Sequence, residues 1–127
     1  MEIKITDMIP ATVSNYIIAE RENSASYIRI PYNRGVLLIP AEQIVRIEAL
    51  SNYSKIYFTK RHPMTVAKVL QWFQLQLPTT MFSRVHRSHL VNRKFIEQIT
   101  LAKQNTLLLS TGETIVISRR KRGVLNA

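Results

Sequence analysis

Between Ser26 and Ile117 the chain is a succession of short apolar runs of period two, punctuated by turn residues, and this pattern admits few folds. Ile28 and Ile30 share one face ahead of a turn at Tyr32, Asn33, Arg34 and Gly35; residues 36–39 resume the run until Pro40 ends it. Residues 44–50 alternate Val45, Ile47 and Ala49 against Arg46 and Glu48, the pattern of a half-buried strand. After Ser51 and Asn52, residues 53–59 place Ile56 and Phe58 on one face and Lys55 and Tyr57 on the other, which predicts a strand pair joined near Asn52. Residues 95–101 read as a further strand, and residues 106–109 and 114–117 flank the turn Ser110, Thr111, Gly112, Glu113 as a hairpin. One stretch breaks the period. Val66, Val69, Leu70, Phe73 and Leu77 recur at spacings of three and four, with Trp72 and Leu75 widening the stripe. That spacing predicts a helix over 65–77, capped by Thr65 and stopped by Pro78. The expected architecture is a mainly β domain with one helix.

A chain of 127 residues, 46% hydrophobic and 20% charged, has the size and composition of one globular domain rather than a basic disordered tail. It has no cysteine, which excludes disulfides and thiolate metal sites. No apolar run approaches the roughly 18 to 20 residues of a membrane span, and the N-terminus lacks the pattern of a secretory signal. A cytoplasmic protein is therefore expected.

The net charge of +10 is unevenly spread. Residues 1–50 carry five basic and six acidic side chains, whereas residues 51–127 carry thirteen basic ones and only Glu97 and Glu113. A positive field of this kind attracts nucleic acid or, less specifically, an anionic membrane surface. The richest stretch runs from Phe82 to Ile96. Phe82, Val85, Leu90, Val91, Phe95 and Ile96 can anchor it, leaving Arg84, His86, Arg87, Ser88, Asn92, Arg93 and Lys94 to face a polyanion. Beyond the last strand, Arg119, Arg120, Lys121 and Arg122 form an unbroken cationic run.

Other chemistries lack their parts. His86 and His89 have metal-ligand spacing, but no carboxylate or thiolate completes the set and the neighbouring cations repel a divalent ion. No serine stands in a nucleophile context, and three glycines in all make no phosphate loop. An enzyme is not expected, nor a cofactor. Nucleic-acid recognition, in contrast, finds both of its components. An asparagine such as Asn92 can pair with the N6 and N7 edge of adenine, and an arginine such as Arg120 with O6 and N7 of guanine. Arg84, Arg87, Arg93, Lys94 and Lys121 suit phosphates. An equally good reading of Asn92 is a turn residue that caps its own backbone.

Residues 39–53, the helix ending at Leu77, the block Phe82, Ser83, Arg84, Val85, His86, Arg87, Ser88 followed by Val91 and Asn92, then Ile96, Ile99, Gly112 and the run Ile117, Ser118, Arg119, Arg120 resemble the LytTR family of bacterial DNA-binding domains over residues 26–122. The resemblance implies an elongated stack of small antiparallel sheets with a short helix, whose loops enter successive major grooves of double-stranded DNA. It implies base reading by Asn52, Ser54 and Lys55 in the first loop, by Asn92, and by Arg120. Arg84, His86, Arg87, Ser88, Arg93, Lys94, Arg119, Lys121 and Arg122 are then the expected phosphate contacts. It also implies a transcriptional regulator, for which a second copy on tandem sites is a candidate partner. Most relatives carry a receiver domain that the 25 residues before Ser26 are too short to form, so a stand-alone regulator is expected. The division is then 1–25 as a lead-in, 26–122 as the DNA-binding domain and 123–127 as a tail. The competing expectation is a basic module for anionic lipid or acidic protein surfaces.

Overall fold

Turn chemistry sets the order of the elements. The computed structural model describes residues 26–118. Strands β1 (Tyr27–Tyr32) and β2 (Gly35–Pro40) pair across Asn33 and Arg34. Both turn residues have left-handed φ, 49° and 65°, which matches the twist of a tight hairpin. A 3-10 turn at Ala41–Gln43 leads into β3 (Ile44–Leu50), and Ser51 (φ 59°) reverses the chain into β4 (Tyr53–Phe58). Then follow β5 (Met64–Val66), helix α1 (Leu70–Gln76), β6 (Phe82–His86) and β7 (His89–Asn92). A second 3-10 turn, Arg93–Phe95, precedes β8 (Ile96–Thr100), β9 (Thr106–Leu109) and β10 (Thr114–Val116). In the last hairpin Gly112 adopts φ 96° and donates its N–H to the carbonyl of Leu109, a backbone conformation that favours glycine.

The strands form three antiparallel sheets among the described residues: β1-β2, then β5-β4-β3-β7-β6, then β8-β9-β10. The mainly β architecture with one helix is thus as the sequence predicts. Two apolar clusters hold it. The first gathers Ile28, Ile30, Ile39, Ile44, Ile47, Ile56, Leu70, Phe73 and Leu90 between the hairpin, the central sheet and α1. The second gathers Val45, Val85, Val91, Leu107, Leu109, Ile115 and Ile117 between the central and the three-stranded sheets.

Strand β3 belongs to both clusters, and this differs from simple alternation. An irregularity in register between Ile44 and Arg46 turns Val45 away from Ile44 and Ile47 and into the second cluster. Arg46, on the polar side of the expected pattern, is consequently buried, at 8% exposure.

The helix is also shorter than its periodicity predicts. Met64, Thr65 and Val66 extend as β5 along the free edge of β4, where Thr65 lies opposite Lys55 instead of capping a helix. Helix α1 begins only after Val69, which gives it no side-chain cap, and ends before Pro78 as expected. Satisfying the edge of β4 outweighs one additional helical turn. Leu70, Phe73 and Leu77 are buried and Trp72 meets Phe73 edge-on at 4.9 Å, whereas Leu75 lies outside the stripe, 75% exposed. Among the described residues no helix is long and apolar enough to cross a membrane.

Candidate nucleic-acid interface

The five-stranded sheet has two ends, and they divide the residues that the sequence groups together. At one end stand the β3–β4 turn, with exposed Ser51 and Asn52, and the β6–β7 turn, with exposed Arg87 and half-buried Ser88. The N–H of Ala49 donates to the carbonyl of Ser88 at 2.9 Å, which ties the two turns together although 39 residues separate Ala49 and Ser88 in sequence. The N–H of Ser118 donates to the carbonyl of Val85, one residue before His86, so the described chain ends close to the same turn. Arg119, Arg120, Lys121 and Arg122 lie outside the described residues.

At the other end the Asn92 amide donates to the carbonyl of Ile44, and the N–H of Thr59 donates to that of Gln43. Arg93 and Lys94 belong here, as do exposed Lys60 and Arg61. The six residue steps of β3 from Ile44 to Leu50 separate the two ends by about 20 Å at ~3.3 Å per residue. Asn52 and Asn92 therefore do not share one surface.

The β6–β7 turn is built from beneath. Arg84 donates from Nε to the carbonyl of His86 (3.1 Å), from Nη2 to that of Arg87 (2.6 Å) and from Nη1 to Oε1 of Gln74 on α1 (2.8 Å). Burial lowers its pKa, yet a guanidinium stays charged at neutral pH. Nδ1 of His86 accepts the N–H of Ser88 at 3.1 Å. Arg84 and His86, both expected at phosphates, are in this arrangement engaged in shaping the turn; Arg87 is the cation that the turn exposes. A tight hairpin inside the cationic run is the local signal that distinguishes them.

Two expected base readers are buried. Asn92 has 0% exposure; its Nδ2 donates to Ile44 at 2.9 Å, and its Oδ1 accepts the N–H of Lys94 at 3.1 Å, capping the 3-10 turn. The capping reading is thus the one these contacts favour, and no face of the amide is presented to a base edge. Ser54 is likewise fully buried, donating from Oγ to the carbonyl of Lys68 at 2.7 Å, because it points to the same side as Ile56. Lys55, on the opposite side, is half-buried with its ammonium 5.3 Å from the Tyr57 ring centre. Arg93 donates from Nε to Oγ of Ser83, and Lys94 faces Glu42 at 3.9 Å. Asn92→Ala strips both bonds and leaves the Ile44 carbonyl buried. It is expected to lower unfolding stability by about 1 to 3 kcal/mol in urea titration, while leaving base preference unchanged.

A polar network joins the sheets behind the turns. Arg46 lies over the Tyr57 ring, 3.8 Å from its centre, and pairs through Nε with Glu113 in the β9–β10 turn. Its Nη1 approaches Oε1 of Glu48 at 3.5 Å, an ion-pair distance without hydrogen-bond geometry. Sequence reasoning missed this link, because Arg46 and Glu113 are 67 positions apart.

His89 borders the network with a buried Nδ1 that has no hydrogen-bond partner. Burial lowers its pKa first, Arg46 and His86 add to the shift, and Glu48 opposes it. The unfolded chain therefore takes up the proton before the folded one does. As pH falls through about 6.5, stability should decline, levelling off below the folded-state pKa. His89→Gln should flatten this part of the profile, measured as the change in urea midpoint between acidic and neutral pH.

Turns with exposed polar and cationic groups, carried by small antiparallel sheets, define a mainly β scaffold suited to a polyanionic partner. The family model of the LytTr DNA-binding domain matches residues 34–127, and the chain belongs to that family. Its fold is shared with a solved LytTr DNA-binding domain from Bacillus cereus at TM-score 0.66 and 24% identity, covering 80% of this chain and 98% of that one. The sensory transduction protein LytR of Streptococcus mutans is 35% identical over 71 residues, 54% of this chain; the match spans only 29% of that protein.

Proposed function

We propose that this domain binds double-stranded DNA sequence-specifically, as a bacterial transcriptional regulator. In this reading Asn52 and Arg87 reach base edges in the major groove from the two adjoining turns. The observation that carries it is the hydrogen bond from Ala49 to Ser88, which ties the turns of an exposed asparagine and an exposed arginine together at one end of the five-stranded sheet. Arg87 has the planar fork for guanine O6 and N7, and Asn52 the amide for adenine N6 and N7. Lys55 and Ser88 stand close enough in sequence to these readers to serve the flanking phosphates. Arg119, Arg120, Lys121 and Arg122, following Ser118, join them in this reading, with Arg120 at a second groove. Asn92, Ser54, Arg84 and His86 act behind this surface, holding the turns in shape. Domain limits of 26–122 and binding as paired copies on tandem sites belong to the same proposal.

Selection of duplexes from a random pool, followed by sequencing, tests it: a short motif should emerge whose affinity falls steeply with salt. Equal binding of all duplexes would defeat the reading, and preferential sedimentation with anionic vesicles over DNA would favour a lipid-binding module. The far end of the sheet supplies an internal control. Lys94→Ala should leave both affinity and salt slope near their original values, whereas Lys121→Ala should reduce the slope by about one and weaken all duplexes alike.

A further inference from the structure

We propose that Leu50 and Tyr53, which bracket the Ser51–Asn52 turn, contact the 5-methyl group of thymine next to the adenine held by Asn52. This rests on the reading of Asn52 given above and assigns the turn a preference for A·T steps.

Leu50 and Tyr53 are direct cross-strand partners in the β3–β4 register, so their side chains stand together on one face. They are 41% and 51% exposed. One exposed leucine carries no information, but this pair closes the sheet immediately below the exposed amide of Asn52. The face beneath it is polar: Tyr57 donates its hydroxyl to Oε1 of Glu48 at 3.3 Å, and Lys55 lies over the Tyr57 ring. Neither apolar cluster includes Leu50 or Tyr53. A leucine side chain and a tyrosine ring thus stand exposed at the end of the sheet that carries the proposed readers Asn52 and Arg87.

The major groove explains what they fit. Beside the donors and acceptors of its base edges, it presents the methyl group of thymine as a protruding apolar contact. An asparagine bonded to adenine leaves that methyl, on the paired or adjacent base, as the apolar neighbour of its own flanks. Cytosine at the same place carries only a hydrogen where thymine carries its methyl, so Leu50 and Tyr53 would lose that contact.

The test uses the full chain and the duplex that it selects from a random pool, with each thymine replaced in turn by deoxyuridine. Uridine keeps the base pair and removes only the methyl. At one thymine beside an adenine, affinity should drop about fourfold, the equivalent of ~0.8 kcal/mol for one buried carbon group. Leu50→Ser and Tyr53→Ser should bind the thymine and uridine duplexes with more nearly equal affinity, and the double variant should not distinguish them. Because both residues are exposed, thermal unfolding of the variants should remain close to that of the parent. Indifference of the parent to every uridine, or an unchanged thymine-to-uridine ratio in the double variant, would overturn the inference while leaving the Asn52 and Arg87 reading intact. Failure to select any motif would overturn both.

Discussion

Replacing Arg87 by alanine should weaken binding to a selected duplex by about 5- to 150-fold, the range of one bidentate base contact at about 1 to 3 kcal/mol. Binding to random duplex should fall much less, because only a charge is lost there. Arg87→Lys separates the two contributions: it keeps the cation for phosphates and loses the planar fork, so affinity for random duplex should survive while base preference at one position relaxes. The turn itself should persist. Its shape depends on Arg84 donating to the carbonyls of His86 and Arg87 and on His86 accepting from the Ser88 amide, not on the Arg87 side chain. A selection experiment on Arg87→Ala that returned the same motif with the same stringency would remove Arg87 from the proposed readers.

The second large effect concerns Arg46. Glu113→Ala removes the carboxylate from Nε of a side chain that is only 10% exposed. Breaking a buried pair in this way costs about 3 to 5 kcal/mol. The lower end is expected here, since Glu113 is itself 38% exposed and Glu48 remains 3.5 Å from Nη1. Urea unfolding measures it directly. Arg46→Met combined with Glu113→Leu should recover most of the loss, because two apolar groups can replace a desolvated ion pair. The loss has a functional side as well. Glu113 anchors the hairpin whose last strand, β10, leads to Ser118 and the cationic run beyond it. Glu113→Ala should therefore also reduce affinity for DNA under conditions where the protein remains folded. A stability change below about 0.5 kcal/mol, the scale of ordinary surface substitutions, would mean that the pair contributes little.

The parts legible in the sequence are those that short stretches decide. The reversals at Asn33–Arg34, Ser51–Asn52 and Gly112 follow from turn chemistry within four residues, and the strands on either side follow from the period of two. The helix start was not legible in this way. Val66 fits a helical stripe with Val69 and Leu70 as well as it fits a strand, and only the presence of β4 beside it favours the strand. Val45 looks equivalent to Ile47 until the register irregularity sends it to a different core. The motif of the β6–β7 hairpin identified the family and drew attention to that segment. Within that segment it ranked Asn92 above Arg87, because composition carries no information on which polar group a neighbouring strand will consume.

By itself, the sequence determined the mainly β class, the turns, the excess of positive charge after residue 50 and the family to which the chain belongs, since each is encoded in residue types at fixed local spacing. Only the tertiary structure decided which polar side chains remain available to a partner. Asn92 is withdrawn by a carbonyl 48 residues away, Arg46 by a carboxylate 67 residues away, and the turns that carry Asn52 and Arg87 come to one end of the sheet through the β3–β7 pairing and the hydrogen bond from Ala49 to Ser88. The physical reason is that most buried polar groups are satisfied by a partner, and in a sheet the partners, like the turns that end up side by side, are set by pairing between strands remote in the chain.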